Sequence, residues 1–205
     1  MAENRFEMMR DYWRNEFLKL DHDELISRFG LECDGEKIYI TYYSRKYFID
    51  LTDGYIAEVG HSENEVPFGP LMSIYHLFYF SKPHAKVRGE FVPFRNVKNA
   101  SPFAPNFEKS VREGLAAKFD GKKDLLISAC EKLGGRKIPQ GDVGYIFYAF
   151  EEIMPVMMVF WDGDDEFPAQ ANILFDADIT DFLHEETVCC IGGDLIDRLV
   201  EMSGM

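Results

Sequence analysis

The segment of residues 31–59 places the strongest constraint on the fold of this chain. Its sequence, LECDGEKIYITYYSRKYFIDLTDGYIAEV, is rich in Tyr, Ile and Phe and is interrupted by Asp34-Gly35 and Asp53-Gly54. Asp-Gly pairs suit the positive backbone φ angles of short hairpin turns, and such turns join antiparallel strands. We therefore expect a three- or four-stranded antiparallel meander in this segment.

Helical patterns flank the predicted meander. Apolar residues at helical spacing predict an N-terminal helix over about residues 3–20. Asp21 then suits the N-cap of a short helix over Glu24–Phe29, which Gly30 would end. After the meander, PLMSIYHLFYFSKP is apolar nearly all round and predicts a buried helix. We expect its His76 to be a core residue rather than a ligand.

The second half of the chain combines helices and strands. The spacing predicts helices over 107–119 and 125–133, strands near Gly144–Phe150, Pro155–Trp161 and Asn172–Phe175, and a last helix from about Glu185. We interpret the stretch GGRKIPQGDVG as a loop. With no linker or repeat, the sequence predicts a single α+β domain over residues 1–205. It would be mainly antiparallel, with an N-terminal meander, C-terminal strands and packed helices.

Charge is distributed unevenly along the chain, whose net charge is −14. Residues 82–137 contain 13 basic and 6 acidic residues, a net charge of +7, and residues 138–205 contain 1 basic and 15 acidic residues, a net charge of −14. The overall sign argues against nucleic-acid binding, which requires a basic surface. The two segments either face each other or lie on solvated faces, or the basic one lines an anion site.

The sequence predicts a cytoplasmic protein that makes no membrane contact. Its longest apolar run, near Ile153–Trp161, is about half of the roughly 20 residues that a spanning helix needs, and it contains Pro155. The charged N-terminus lacks the apolar region of a signal peptide. The four cysteines form no disulfide framework and are expected to be reduced: Cys33, Cys130, Cys189 and Cys190.

An aromatic and basic segment follows the buried helix, with the sequence VRGEFVPFRNVKNASPFAPNF. Its aromatic residues either pack into the core or frame a pocket. In the second case, the cations would bind the charge of an anionic ligand and the rings its flat apolar body, as in a tetrapyrrole. The candidate ligand-binding residues are Arg88, Phe91, Phe94, Arg95, Lys98 and Phe103.

An acidic tract, WDGDDEFPAQANILFDADITDFLHEE, runs from Trp161 to Glu186 without a Lys or Arg. A calcium loop starting at Asp176 fails, because its sixth position is Asp181 rather than Gly and its twelfth is Thr187 rather than Glu. We predict no metal site of standard spacing, and an irregular divalent site stays open. Solvated turns and helix caps compete with acid/base catalysis, for which the candidates are Asp164, Asp165, Asp176 and Asp178.

Other catalytic and cofactor motifs are absent from the sequence. It contains no Gly-x-Ser-x-Gly, Cys-x-x-Cys or His-Glu-x-x-His pattern and no phosphate-binding glycine loop. The adjacent Cys189 and Cys190 fit small core residues better than reactive thiols. The sequence therefore specifies no cofactor, and it leaves enzymatic activity undecided while favouring a non-catalytic role.

The order of several motifs resembles a known family. The motifs are YHLFYF, GEFVPFRNV, LGG and GDVGYIFYAFEEIMPVMMVFWDGDDEFPAQANILFDADITDFLHEE. They resemble the bacterial and archaeal family catalogued as domain of unknown function 3786, over most of the chain after about residue 20. The most specific part is the tract Pro155–Glu186. The resemblance implies an occasional fusion to an iron–sulfur module and a loose link to corrinoid or one-carbon metabolism. Because this chain lacks clustered cysteines, an iron–sulfur association would require a partner protein.

Three functions follow from these observations. The first is a non-catalytic accessory module that binds a partner or an anionic, partly apolar ligand such as a corrinoid or other tetrapyrrole. The second is a hydrolase that uses the C-terminal carboxylates, with or without a divalent metal, and it requires those carboxylates to converge in one cleft with a histidine. The third is an interaction domain whose acidic C-terminal third binds a basic partner.

Overall fold

The computed structural model describes residues 2–205, with side chains described for 5–151 and 153–205; Met1 of the predicted domain lies outside this range. The helices are α1 (Ala2–Phe17), α2 (His22–Phe29), α3 (Phe68–Phe80), α4 (Ala104–Phe107), α5 (Glu113–Phe119), α6 (Lys123–Lys132) and α7 (Glu185–Ser203). The strands are β1 (Glu32–Cys33), β2 (Lys37–Tyr42), β3 (Arg45–Asp50), β4 (Ile56–Glu58), β5 (Phe91–Pro93), β6 (Arg136–Lys137), β7 (Val143–Tyr148), β8 (Pro155–Trp161) and β9 (Gln170–Asp176). The α+β class is therefore confirmed. Within residues 2–205, no helix has the length and apolar character needed to cross a lipid bilayer.

The predicted meander is confirmed as a four-stranded sheet with the order β1-β2-β3-β4, antiparallel throughout. Asp34-Gly35 and Asp53-Gly54 lie in its first and last connections, and both glycines have positive φ. The middle connection is Tyr43-Ser44, where two non-glycine residues also have positive φ angles of 43° and 62°. The buried Tyr43 holds this turn, since its hydroxyl donates to the carbonyl of Ile191 at 2.9 Å.

The second sheet has the order β5-β9-β8-β7-β6, and its neighbouring strands are also antiparallel. The observed bounds of β8 are those predicted. The stretch interpreted as a loop contains β6, which the sequence did not reveal. Only two residues of β6 pair, Arg136 with Ile146 and Lys137 with Tyr145, and both are exposed basic residues without a strand-like apolar pattern.

The two sheets meet where β2 ends. Tyr42 forms an isolated antiparallel bridge with Phe150, and the Tyr43 amide donates to the carbonyl of Ala149 at 2.9 Å. The last helix, α7, packs against both α3 and α6. Its apolar stripe is buried at Val188, Ile191, Leu195 and Leu199, whereas Met202 is only partly covered. One continuous apolar core therefore connects both sheets and the central helices.

The N-terminal helix is shorter than predicted, and only part of its apolar stripe is buried. It ends at Phe17, and within its apolar stripe Trp13 and Phe17 are buried, whereas Phe6 and Met9 are exposed. Asp21 is the N-cap of the following helix as predicted, because its carboxylate accepts from the Glu24 amide at 3.0 Å. The helix itself starts at His22, two residues before the predicted Glu24. Gly30 ends this helix in the left-handed conformation, with φ of 62°.

A π-helical turn over Glu108–Arg112 joins α4 to α5. The sequence predicts one regular helix over 107–119, and helical structure does extend across this range. The wider turn has no signal in the apolar pattern. Such turns occur frequently at functional sites, and here the turn carries Arg112 to the edge of a surface groove.

Candidate functional site

The aromatic residues of the predicted ligand site pack into the protein. Phe94 is buried, and its ring stacks on that of Phe107 with centroids 4.3 Å apart. Phe103 is partly buried against the main core, and Phe91 packs against a smaller apolar cluster that includes Met157. The first of the two alternatives for this segment, packing into the core, therefore describes these rings.

The basic residues of the same predicted site lie on the surface. Arg95 and Lys98 are exposed, and neither forms an ion pair with another described side chain. Arg88 lies 3.7 Å from the Glu90 carboxylate and 3.5 Å from that of Asp178. None of the six predicted residues lines the cavities described below, so the structure does not bring them together around one space.

Asp176 is the buried member of the predicted catalytic group. Its carboxylate accepts from the backbone amides of Arg88 at 3.1 Å, Gly89 at 2.7 Å and Asp178 at 3.0 Å. Three backbone donors satisfy a buried carboxylate without a metal or a second titratable group. We infer that Asp176 anchors the segment before β5 to the end of β9.

Asp178 lies beside Asp176, with its carboxylate 3.5 Å from Arg88, but the other two acidic candidates do not join them in one cleft. Asp164 and Asp165 are exposed in the turn between β8 and β9, at the opposite end of β9, which is about 20 Å long. Backbone hydrogen bonds from Glu166 and Phe167 lower the pKa of Asp164, as expected for a carboxylate that stabilises a turn. The convergence that the hydrolase hypothesis requires is therefore not observed.

The cysteines and potential metal ligands show no catalytic arrangement. Burial, followed by nearby acidic groups, raises the pKa of the Cys190 thiol to about 12, and burial with its neighbour Cys190 does the same for Cys189. Both thiols are therefore protonated at neutral pH and poor nucleophiles. Within the described residues, no three His, Cys, Asp or Glu side chains are grouped to hold a metal ion.

A basic cavity of about 250 Å³ lies between the end of α2, the end of α3 and Phe182, which follows the 3-10 turn Ile179–Asp181. Three cationic side chains, those of Arg28, Lys82 and Lys86, line it together with apolar groups that include Phe29. The positive charge at this point contrasts with the net charge of −14 of the whole chain. The combination of clustered cations and apolar walls suits an anion with an apolar body.

The cations of the basic cavity differ in how tightly the protein holds them. Arg28 donates to the carbonyl of Ser81 at 2.9 Å, which ties α2 to the end of α3, and its Nε lies 3.4 Å from the Glu24 carboxylate. Lys82 forms an ion pair with Asp181. Lys86 is exposed and has no ion pair with any other side chain that the structure describes. Its charge is therefore the least compensated of the three.

A second cavity, of about 230 Å³, adjoins the basic cavity, because Phe29 and Ile153 line both. The second cavity also has Tyr39 and Phe150 in its wall. The backbone of Glu151 beside it has a φ of 24°, an uncommon value for a non-glycine residue. Backbone strain of this kind is enriched at ligand sites. We call the two adjoining cavities the basic cleft.

The sequence did not identify the basic cleft, because its cations come from separate parts of the chain. Arg28 is in the last turn of α2, whereas Lys82 and Lys86 follow α3. The available signal was the start of the basic segment 82–137, which includes both lysines. Arg95 and Lys98 were predicted instead, because they lie among the aromatic residues further along that segment.

A partly buried polar cluster also lacked a sequence prediction. Asp194 of α7 accepts a hydrogen bond from the Tyr42 hydroxyl at 2.6 Å, and Ser73 of α3 lies 3.4 Å from the same hydroxyl. Burial raises the pKa of Asp194 to about 7; the bond from Tyr42 opposes this effect and the charge of Asp197 adds to it. The available signal was the position of Asp194 beside the apolar stripe of α7. The cluster lines neither cavity of the basic cleft.

The comparisons with known proteins identify a family. The model of the family described as Domain of unknown function (DUF3786) matches residues 21–198. No curated protein and no solved structure matches the chain. The family match spans the meander, the basic cleft and nearly all of the acidic C-terminal part, in agreement with the resemblance of the sequence motifs. The chain belongs to the DUF3786 family.

Proposed function

We propose that this protein is a cytoplasmic, non-catalytic accessory module that binds a small anionic, partly apolar ligand in the basic cleft. The observation that carries the proposal is the convergence of Arg28, Lys82 and Lys86 on one apolar cavity in a strongly acidic chain. Cations in a partly desolvated cavity attract a carboxylate or phosphate more strongly than the same cations on an open surface.

The shape of the cleft restricts the ligand. Its basic part, at about 250 Å³, is smaller than the 300–1,000 Å³ typical of pockets for drug-sized ligands. A small aromatic acid or phosphate ester fits this part alone. A corrinoid or other tetrapyrrole is too large for this part and would bind through an anionic side chain placed in it. The macrocycle would then lie outside, over Phe29 and Ile153, which line both cavities.

The non-catalytic assignment is supported by what surrounds the cleft. The predicted catalytic carboxylates lie outside it, and so do the protonated Cys189 and Cys190. The acidic residues that line its walls, Glu32 and Glu151, belong to the second cavity and not to the basic part. A cytoplasmic location fits the four free cysteines, one of which, Cys33, is exposed.

Ligand binding is tested by thermal shift and titration calorimetry. The probes are phenyl phosphate and benzoate as small aromatic anions, haem and cobyrinic acid as tetrapyrroles with free carboxylates, and benzylamine as an oppositely charged control. A ligand that binds only the folded protein raises its melting temperature in a concentration-dependent way. We expect the anions, and not benzylamine, to produce this shift.

The position of the site is tested with two matched charge reversals. Lys86→Glu changes the least compensated cation of the cleft, and Lys98→Glu makes the same change at an exposed lysine outside it. We expect Lys86→Glu to weaken anion binding by about tenfold or more, and Lys98→Glu to leave it unchanged. Loss of binding in Lys98→Glu alone would move the site to the aromatic segment. Absence of a shift with every probe, in folded protein, would remove the proposal.

A further inference from the structure

A long groove lies on a different surface from the basic cleft. It consists of two adjoining cavities of about 350 and 370 Å³, which share Pro168 and Gln170. The first is walled by α5 and the second by the turn between β8 and β9. We call this feature the acidic groove. Its combined space is larger than that of the basic cleft.

The floor of the acidic groove is formed by small apolar side chains. Ala116 and Ala117 of α5 face the groove from one side, and Ala169 and Ala171 line it from the other. Methyl groups project little from the backbone, so an extended chain can approach this floor closely. A groove of this shape fits a peptide segment better than a compact small molecule.

Carboxylates line both cavities of the acidic groove. Glu113 and Asp120 line the first cavity, and Asp142, Asp162 and Asp164 line the second. No lysine lines either cavity. Carboxylates along a groove sum to a negative potential that attracts cations from a distance.

One arginine lines the acidic groove, and its positive charge is paired within the protein. Arg112 forms an ion pair with Glu108, and its Nε donates to the carbonyl of Ala171 at 2.9 Å. The π-helical turn over Glu108–Arg112 sets this arginine against β9. Its charge is therefore compensated within the protein.

Two large aromatic side chains are exposed in the second cavity. Trp161 is 44% exposed and Phe167 is 63% exposed. Exposed aromatic residues in a concave surface are enriched among the residues that dominate protein interfaces. Their ring faces also attract guanidinium and ammonium groups, so they add to the attraction of the carboxylates for a cation.

We propose that the acidic groove binds an extended, basic and partly apolar segment of a partner protein. Arginine or lysine side chains of this segment meet the carboxylates and the rings of Trp161 and Phe167, and its small apolar residues lie on the alanine floor. The net charge of −14 over residues 138–205 accelerates the encounter with such a partner. This proposal is independent of the ligand of the basic cleft.

The groove is tested with a fluorescent ten-residue peptide in which Arg alternates with Leu or Phe, and with the same peptide carrying Glu in place of Arg. Fluorescence anisotropy at about 0.05 M and about 0.5 M NaCl measures affinity and its salt dependence. We expect the Arg peptide alone to bind the wild-type protein, more weakly at the higher salt concentration. Equal binding of the Glu peptide, or no binding of the Arg peptide, would overturn the proposal.

Substitutions locate the binding within the groove. Ala117→Lys fills the floor with a cationic side chain, and Phe167→Ala removes an exposed ring; both residues are exposed, so the fold should tolerate the changes. We expect each to weaken peptide binding by about tenfold. Asn15→Lys, an equal charge change at an exposed site of α1, should bind as the wild type does. If the Ala117→Lys variant binds the peptide as tightly as the Asn15→Lys variant does, the inference is wrong. It is also wrong if light scattering shows that copies of this chain associate with one another and that their association displaces the peptide.

Discussion

Tyr42 donates a hydrogen bond to Asp194 over 2.6 Å, and this bond joins the end of β2 to α7 across 152 positions of sequence. Ser73 brings α3 to the same point. Burial raises the pKa of the Asp194 carboxyl group to about 7, so this group gains or loses its proton near neutral pH. Because this bond lies where both sheets meet the last helix, the stability of their packing should depend on pH.

The protonation of Asp194 predicts a stability that falls as pH rises. The pKa of Asp194 is about 7 in the folded protein and 3.8 in an unperturbed carboxyl group. The folded state therefore holds the proton more tightly. The contribution of Asp194 to the free energy of unfolding is complete below pH 3.8. It is lost as the pH rises through 7, a decrease of up to about 4 kcal/mol. Asp194→Asn should remove this pH dependence and be more stable than the wild type above about pH 7.

Urea denaturation at several pH values measures this effect. Asp197→Asn is the matched control, because it makes the same change at an exposed residue of the same helix. Removal of the Asp197 charge should leave most of the pH dependence in place, since burial is the largest cause of the raised pKa. If the Asp194→Asn variant retains the slope of the wild type between about pH 4 and 8, Asp194 does not titrate as inferred.

The hydrogen bond itself is tested by Tyr42→Phe. Loss of the donor leaves the partly buried carboxylate without compensation, so the pKa of Asp194 should rise further and stability should fall by about 1–3 kcal/mol. Carboxyl-carbon NMR titration measures the pKa. The control is Tyr39→Phe, which removes an exposed bond to Asp34 and should have a much smaller effect. An unchanged pKa in Tyr42→Phe would contradict the assignment.

His76 predicts a loss of stability in mild acid. Burial, aided by the neighbouring His184, lowers the pKa of His76 from 6.5 to about 4. As pH falls from 6.5 to 4, the unfolded chain takes up a proton that the folded protein does not, so stability should fall by up to about 3 kcal/mol. His76→Gln should flatten the pH dependence in this range, whereas His61→Gln, at an exposed position, should not. Equal slopes in the two variants would disprove this role.

Local sequence signals predicted most of the fold. Turn and cap residues such as Asp53-Gly54, Asp21 and Gly30 act through their own backbone conformation, so their effect is readable without tertiary contacts. The apolar run of β8 was readable for the same reason. The two-residue β6 and the π turn were not, because each depends on packing with distant strands or helices rather than on local propensity.

The candidate sites depended on tertiary contacts and were predicted less well. Six residues of one aromatic segment were candidates for a shared pocket, with packing into the core as the alternative. Phe94 turns inward onto Phe107, whereas Arg95 turns to solvent. Two cations that do share a cavity are far apart in the sequence, because Arg28 precedes the meander and Lys86 follows it. Spacing along a chain can indicate which residue types are present, but only the fold determines which of them meet.

Two adjacent glycines of α7 predict opposite effects of the same substitution. A Cβ at Gly192 would lie 2.8 Å from the Phe107 ring and 3.3 Å from the Phe175 ring, so this glycine permits the close approach of α7 to the stacked aromatic core. A Cβ at Gly193 meets no atom within 4 Å. Gly192→Ala should therefore destabilise the protein by about 1–3 kcal/mol through overpacking. Gly193→Ala should stabilise it by about 0.5–1 kcal/mol, because alanine favours the helix. Urea denaturation midpoints of the two variants measure the difference, and shifts of the same sign would show that α7 does not pack on Phe107 as described.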